Sequence, residues 1–220
     1  MVRDLVKRAV RRLVAGSPRV PGAPPSGRAP PTRAEAPAPP PDEEAPADLE
    51  VEGSQVADMV SRGEPMLLID IREPHELRQG HGRGALLLPM NEVPQRLAEL
   101  PRDQTLVVYC AAGARSWGVA HYLREQGFPL AVSLGGGFAD LVDATGEWEQ
   151  PLPGNPQLLQ VVGLGPVAAA QAGVEPGAQA TVQSVQVVDE QTIVAVWVPR
   201  AGGLPGVRLD GLSPDALELG

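Results

Sequence analysis

Residues 106–117 read Leu106-Val-Val-Tyr-Cys110-Ala-Ala-Gly-Ala-Arg115-Ser116-Trp117, and they contain the only cysteine of the chain. An apolar run typical of a buried strand comes first, then the cysteine, then small residues and an arginine. A helix is predicted to begin at Ser116 or just before it. The pattern therefore places the thiol at the carboxyl end of a strand and beside the amino end of a helix, where open α/β sheets carry their functional groups.

Strands and helices alternate on both sides of this run. Short apolar segments bounded by glycine, proline or charge predict strands at 66–71, 85–88, 106–109 and 130–134. Helices are predicted at 54–62, 74–79, 94–100 and 116–126, the third with proline at its first turn. Alternation of this kind predicts an α/β fold in which a mainly parallel sheet is flanked by helices on both faces.

Composition divides the 220 residues into segments. We expect a basic amphipathic helix at 1–16, a disordered Pro/Ala-rich linker at 17–48, the α/β domain at 49–147, a linker at 148–157 and a small β-rich unit at 158–220. In the last segment, 180–188 and 192–198 are β-branched runs separated by three polar residues, which predicts a hairpin. The polar residues of 158–220 form no cluster that we can assign to chemistry.

The basic segment 1–16 has apolar residues at helical three-and-four spacing, with five basic residues between them. A cationic amphipathic helix can lie in an anionic membrane surface or dock on a partner protein. It can also pack weakly on its own chain. These alternatives stay open at the level of the sequence.

Charge and cysteine content exclude several classes of function. A net charge of -9 gives no basic face for phosphate contacts, so we expect no nucleic-acid partner. One cysteine excludes an internal disulfide and a cysteine-rich zinc or iron-sulfur site, and no metal or other cofactor is predicted. No stretch reads as a spanning helix or a secretory signal. We therefore expect a cytoplasmic protein, with peripheral membrane contact through 1–16 as an alternative; the sequence does not indicate the oligomeric state.

The position of Cys110 predicts an acidic thiol. Backbone N–H groups at a helix N-terminus and a nearby guanidinium stabilise a thiolate, so its pKa should fall below about 8.5. The small residues of the loop allow a cradle of inward-pointing amides that can hold an anion or a persulfide. Arg115 is predicted to add a fork of N–H donors for an oxyanion. The predicted substrate-binding residues are Ala111, Ala112, Gly113, Ala114, Arg115 and Ser116. The alternative is a buried, inert cysteine.

With these residues the chain resembles the rhodanese family of sulfurtransferases, over roughly residues 49–145. The first motif is Leu68-Ile-Asp70-Ile-Arg72-Glu73, then Glu76, then Gly80-His81-Gly-Arg-Gly84-Ala85 and Pro89. The second is Cys110-Ala-Ala-Gly113-Ala-Arg115-Ser116, and the third is Gly127-Phe128 through Leu134-Gly-Gly-Gly137-Phe138-Ala139. The chain departs from the family at Gly82-Arg83, where Ile-Pro is frequent, and at Leu141, where tryptophan is frequent.

The resemblance implies roles for individual residues. Cys110 would carry the transferred sulfur, and the loop amides and Arg115 would hold the sulfur donor. Asp70 and Arg72 would support the site from beneath, although an ion pair that only holds two loops is an equal alternative. His81 would be structural. No cofactor is implied; the partners would be a small-molecule sulfur donor and a thiol, a thiol-bearing protein or cyanide as acceptor.

Three functions follow from this pattern. The first is a sulfurtransferase that moves sulfane sulfur from thiosulfate or a persulfide through a Cys110 persulfide, and it requires a thiol that is not sealed in the core. The second is a non-catalytic adaptor that binds or senses sulfur species and is placed on a membrane or partner by its flanking segments. The third is a phosphatase or arsenate reductase. The four residues between Cys110 and Arg115 favour sulfur over phosphate, because a related phosphatase branch has one residue more.

Overall fold

The computed structural model describes residues 49–152, 157–202 and 204–218. The predicted basic helix at 1–16 and the predicted linker at 17–48 lie outside the described residues. The elements run, in chain order, as β1 Glu50–Val51, α1 Gly53–Arg62, β2 Met66–Asp70, β3 His81–Gly82, β4 Leu86–Leu87, β5 Thr105–Tyr109, α2 Ala114–Glu125, β6 Ala131–Leu134, α3 Gly137–Thr145, β7 Trp148–Glu149, β8 Val161–Leu164, α4 Pro166–Ala172, β9 Gln179–Val188, β10 Gln191–Val198, β11 Val207–Leu212 and β12 Leu217–Glu218. Short 3-10 helices lie at Glu76–Gln79, Met90–Gln95, Leu97–Glu99 and Pro214–Ala216.

The first sheet has the strand order β1-β6-β5-β2-β4, and each neighbouring pair in it is parallel. Its central strand, β5, is buried on both faces. Leu106 and Val108 share a core cluster with residues of α2, whereas Val107 shares one with residues of α1 and α3. A strand covered on both faces must be apolar throughout, which is why its sequence shows a continuous run. The predicted parallel sheet flanked by helices is confirmed.

The predicted strands of this sheet are present with ends shifted by at most one residue, but the helices differ more. The prediction of an α-helix at 94–100 is wrong, because this stretch belongs to two 3-10 helices and Pro94 lies inside the first. Arg96 lies between the two turns with φ of -114° and ψ of 15°, outside the α-helical region, so the stretch is not one continuous helix. The prediction at 74–79 holds only for the 3-10 turn Glu76–Gln79, and α3 and α4 were not predicted.

The second sheet is antiparallel and has the order β11-β10-β9-β8-β12. The predicted hairpin is present as β9 and β10. Its turn is two residues long rather than three: Asp189 and Glu190 have φ of 49° and 67°, and Val188 pairs with Gln191. Positive φ at both central residues matches the twist of the flanking strands. The small β unit expected after the α/β domain is therefore an antiparallel sheet.

The second sheet packs on the first through specific contacts. Trp197 of β10 is 4% exposed and lies in the same core cluster as Leu86 of β4. Its indole N–H donates to a carboxylate oxygen of Glu99 at 2.8 Å. The backbone N–H of Leu87 donates to the side-chain oxygen of Gln183 at 2.5 Å. β7 pairs with β3 and lies inside the segment predicted as a linker, 148–157. Whether the chain divides into folding units at that segment stays a prediction.

Candidate active site

Cys110 follows β5 directly, and α2 begins four residues later at Ala114. The carbonyl oxygen of Cys110 accepts a hydrogen bond from the N–H of Phe138 in the first turn of α3, at 2.8 Å. Ala111 and Ala112 are exposed, whereas Cys110 is only 2% exposed and belongs to the core cluster that contains Val108. The thiol is therefore at the predicted place, but it lies under the loop rather than on the surface.

Hydrogen bonds to the sulfur determine the acidity of the thiol. Burial raises the pKa of Cys110, but the backbone N–H of Ser116, that of Ala112, the Ser116 hydroxyl and the N–H of Arg115 lower it, and the net pKa lies below the ordinary value. The Ser116 Oγ is 3.7 Å from the Cys110 Sγ, and it also lies within donating distance of the carbonyl of Gly113, at 2.8 Å. The direction of the shift agrees with the prediction from the sequence.

Two glycines let the loop close around the sulfur. Gly113 has φ of 88°, and a Cβ on it would lie 1.8 Å from the carbonyl oxygen of Gly135. Gly137 has φ of 66°, and its Cβ would lie 2.6 Å from backbone atoms of Ala111. Only glycine combines such φ values with such close approach of two backbones. The segment 135–137 therefore forms the wall against which the cysteine loop packs.

The guanidinium of Arg115 is bound by a carboxylate that the sequence did not indicate as its partner. Nη1 and Nη2 of Arg115 donate to the two oxygens of Glu76 at 2.8 and 2.7 Å. The two side chains are 33% and 22% exposed. The Arg115 hydrogen bond is the main cause that lowers the pKa of Glu76 to about 2. Arg115 lies beside the cysteine as predicted, but two of its donors are already used within the chain.

Asp70 and Arg72 form a buried ion pair at the end of β2. Nη2 of Arg72 lies 2.7 Å from Oδ2 of Asp70, and the side chains are 2% and 0% exposed. The same Nη2 donates to the carbonyl of Gly80 at 2.7 Å, and the guanidinium lies 4.0 Å from the ring centroid of Phe138. These contacts join β2, the segment before β3 and α3. This geometry agrees with the alternative role named above, an ion pair that holds neighbouring loops together. A direct role of the pair toward substrate stays a prediction.

The histidines take the positions expected of residues without a catalytic role. His81 is 1% exposed, its Nδ1 is 3.2 Å from the Gly82 carbonyl, and burial lowers its pKa. His75 is exposed, and the ring of His121 stacks on Trp117. Across residues 49–152, 157–202 and 204–218, no three His, Cys, Asp or Glu side chains converge on a point where they could hold a metal ion.

Two residues near the site were not among the predicted ones. Glu76 stands in the first motif, but its sequence distance from Arg115 gave no signal that they pair. Ser133 is fully buried in β6, and its hydroxyl donates to the Ser116 Oγ at 3.0 Å. A serine within the otherwise apolar run 130–134 was the available signal, because a buried hydroxyl needs a hydrogen-bond partner.

Comparison with known proteins identifies the family of the domain that contains the cysteine loop. Residues 52–144 match the Rhodanese-like domain family. A sulfurtransferase of Allochromatium vinosum is 40% identical over 88 residues, which are 40% of this chain and 82% of that protein. The thiosulfate sulfurtransferase GlpE of Stutzerimonas stutzeri is 38% identical over 77 residues, 35% of this chain and 71% of the relative. The crystal structure of a rhodanese-like domain protein from Staphylococcus aureus aligns with a TM-score of 0.42 and 25% identity, over 46% of this chain and 96% of that one.

A parallel sheet whose central strand ends in a cysteine, with backbone N–H groups around the sulfur, defines a class of α/β proteins suited to a cysteine nucleophile. Within that class, the chain belongs to the rhodanese family. The family and the names of the relatives support sulfurtransferase activity in general, without indicating the donor or the acceptor. None of the described helices has the length and apolar character needed to cross a membrane.

Proposed function

We propose that Cys110 of this protein accepts a sulfane sulfur from thiosulfate or a persulfide and passes it to a thiol or to cyanide. The observation that carries the proposal is the position of Cys110 between the end of β5 and the start of α2, where N–H and O–H donors of the loop and of the first turn of α2 surround the sulfur and lower its pKa. A thiolate is the nucleophilic form of cysteine, so these donors prepare the sulfur for attack. The resemblance to a thiosulfate sulfurtransferase over the same domain supports the proposal.

In the first step the Cys110 thiolate attacks the outer sulfur of thiosulfate. The new sulfur–sulfur bond forms as the bond between the two sulfurs of thiosulfate breaks, and sulfite leaves with the bonding electron pair. The product is the Cys110 persulfide anion. The amides of Ala112 and Ser116, which stabilise the thiolate, are placed to stabilise this anion as well.

In the second step a nucleophile attacks the outer sulfur of the persulfide. Cyanide forms its bond to that sulfur, the sulfur–sulfur bond breaks, and thiocyanate leaves while the Cys110 thiolate is regenerated. A thiolate acceptor reacts in the same way and becomes a persulfide. One cysteine is enough for this double displacement, and no electron donor or cofactor is needed.

The low exposure of Cys110 limits how a sulfur donor can reach the thiol. The enzymatic interpretation of the sequence requires a thiol that reagents can reach, and Cys110 is 2% exposed. The exposed Ala111 and Ala112 follow it directly, so the sulfur lies just under the surface loop. Loop motions occur far faster than enzyme turnover, and a local opening of this loop would expose the sulfur without global unfolding.

The proposal is tested by measuring thiocyanate formation from thiosulfate and cyanide. The wild-type protein should form thiocyanate, and Cys110→Ser should not, because a hydroxyl at this position is a far weaker nucleophile. Alkylation of the native protein with iodoacetamide should modify Cys110 and abolish the activity. Thiocyanate formation that persists in Cys110→Ser, or a thiol that resists alkylation until the protein unfolds, contradicts the proposal.

The second candidate is a non-catalytic adaptor that binds or senses sulfur species, and the burial of Cys110 is the observation that favours it. Placement on a membrane or partner by residues 1–16 and 158–220 is part of this candidate and stays a prediction. Intact-mass measurement after incubation with a sulfur donor distinguishes the two. A sulfurtransferase gains one sulfur atom that cyanide then removes, whereas an adaptor gains none.

A further inference from the structure

The cysteine loop contains one basic residue, and its charge is neutralised within the chain. Between Cys110 and Ser116 the only cationic side chain is Arg115. Both of its terminal nitrogens donate to Glu76, in an end-on bidentate pair of 2.8 and 2.7 Å. With the Cys110 thiolate included, the three side chains carry a net charge of about -1, since one cation faces two anions.

Glu76 is held in place independently of Arg115. Its Oε2 also accepts a hydrogen bond from the backbone N–H of Glu73 at 3.0 Å, and its own N–H donates to the carbonyl of Glu73 at 2.9 Å. The residue begins the 3-10 helix Glu76–Gln79, whose Leu77 is buried in the core. The carboxylate therefore stays beside the loop, and Arg115 cannot turn fully toward an incoming anion without leaving it.

We propose that Glu76 sets the charge of the sulfur donor, so that donors with at most one negative charge are preferred over the thiosulfate dianion. This inference rests on the proposed function, because it concerns the donor of the same Cys110 site. A dianion that approaches the thiolate meets a net negative group formed by these three side chains. The loop N–H groups, Arg115 and the nearby Arg72, whose charge is paired with Asp70, oppose only part of the repulsion. A monoanionic thiosulfonate or a protonated persulfide meets less repulsion.

The sharpest comparison is between thiosulfate and methanethiosulfonate, which present the same outer sulfur with one charge of difference. With methanethiosulfonate the Cys110 thiolate attacks the outer sulfur, the bond to the sulfonyl sulfur breaks, and methanesulfinate leaves with the electron pair. The Cys110 persulfide that results is the same in both reactions. Any difference in kcat/KM between the two therefore arises in the first step, from the charge, shape or leaving group of the donor, and the change in their ratio on substitution isolates the effect of Glu76.

The experiment measures kcat/KM for both donors with cyanide as the acceptor, in the wild type and in Glu76→Gln. Glutamine keeps the size of the side chain and one oxygen that can accept from Arg115, but it removes the negative charge. We expect the variant to raise kcat/KM for thiosulfate, relative to methanethiosulfonate, by about tenfold, the effect of one unit of charge acting in a partly exposed site. The control is Glu64→Gln, which removes the same charge from a surface pair with Arg62, and it should leave the ratio unchanged.

The outcomes separate the two proposals. A ratio that is the same in the wild type and in Glu76→Gln overturns the inference about donor charge while leaving sulfur transfer intact. Absence of persulfide with both donors, in the wild type and in both variants, overturns the proposed function itself. A second measurement does not depend on the folding of a variant. In the wild type, added salt that shortens the Debye length from about 30 to about 3 Å should raise kcat/KM for thiosulfate more than for methanethiosulfonate, and an equal response overturns the inference.

Discussion

At the scale of single residues, the sulfur of Cys110 lies at the end of a short series of buried hydroxyls. Ser133 donates to the Oγ of Ser116 at 3.0 Å, and the Ser116 Oγ lies 3.7 Å from the sulfur. Both serines are fully buried. Because the Ser116 oxygen already accepts a hydrogen bond from the Ser133 hydroxyl, its own hydrogen is available for the Gly113 carbonyl or for the thiolate. A hydroxyl that accepts one hydrogen bond also donates more strongly.

We expect Ser133→Ala to weaken this donation and to raise the pKa of Cys110 by a few tenths of a unit to about one unit. The measurement is the rate of alkylation by iodoacetamide as a function of pH, since only the thiolate reacts. Ser61→Ala is the matched control, because the Ser61 hydroxyl bonds to the carbonyl of Asp58 in its own helix. An unchanged alkylation midpoint in Ser133→Ala would show that the buried hydroxyls do not act on the sulfur.

The Glu76 carboxylate predicts a pH dependence of stability. Its pKa is lowered to about 2 in the folded protein from about 4.5, so the ion pair stabilises the fold above about pH 4.5 and this contribution is lost as the pH falls toward 2. In urea unfolding at pH 6, Glu76→Gln should have a free energy of unfolding lower by roughly 1 kcal/mol or less, since the pair is partly exposed. The difference should shrink as the pH falls to 2.5. A difference that grows on acidification contradicts the assignment.

At the scale of elements, the cysteine loop depends on two backbones that approach each other. The segment 110–113 packs against 135–137, and the close contacts run through Gly113 and Gly137. The strand β5 and the helix α2 fix the two ends of the loop, while α3 fixes the facing segment through the hydrogen bond from Phe138 to the Cys110 carbonyl. The loop is therefore held by three elements and not only by its own sequence.

Gly113→Ala should destabilise the protein by about 2 kcal/mol or more and abolish sulfur transfer, because a Cβ at φ of 88° would also collide with the Gly135 carbonyl. Gly146→Ala is the matched control. Gly146 has φ of 67° but has no atom within 4 Å of its Cβ position, so the substitution adds backbone strain of about 1 kcal/mol without a collision. Urea unfolding measures both. Equal losses in the two variants would show that the approach of 135–137 to the loop is unimportant.

The sequence predicted the site best where residues that are neighbours in the chain also lie together in the fold. The strand ending at Cys110, the small loop residues and the helix after them form one continuous run, so their order alone predicts the cradle. The partner of Arg115 could not be predicted in this way, because Glu76 comes from a 3-10 turn that only tertiary packing brings near. The prediction of one helix at 94–100 is wrong for a related reason: its apolar spacing suits a helix, but the backbone breaks at Arg96 into two short turns, and no local sequence signal marks that break.

At the scale of the whole molecule, the two five-stranded sheets of the described residues meet at Trp197. Trp197 of the second sheet belongs to the core cluster that contains Leu86 of β4 and the loop residues Leu88 and Leu100, and its indole N–H donates to Glu99. Arg208 donates to the carbonyl of Ala85 at 3.1 Å. The sequence did not predict this packing, because the residues that make it are far apart in the chain and carry no motif.

Trp197→Ala should lower the free energy of unfolding by about 3–5 kcal/mol, the usual effect of removing a large aromatic ring from a core. If the two sheets unfold together, the fluorescence of the remaining tryptophans, Trp117 in α2 and Trp148 in β7, and the circular dichroism should follow one shifted transition. Val187→Ala, on the exposed side of the β9–β10 hairpin, is the control and should change little. A fluorescence transition of Trp117 and Trp148 that does not move in Trp197→Ala would show that the first sheet is stable without the second.

The hydrogen bond from Leu87 to Gln183 bears on the tendency of the protein to aggregate. β4 is the outermost strand on one side of the first sheet. Backbone groups on the outer side of such a strand can pair with a strand of another chain unless something covers them. Here the N–H of Leu87 donates to the side chain of Gln183, and the carbonyl of Ala85, just before β4, accepts a hydrogen bond from Arg208. The second sheet thus covers an edge strand of the first. Loss of the second sheet would leave that edge open to pairing with other chains and to fibril-like aggregation.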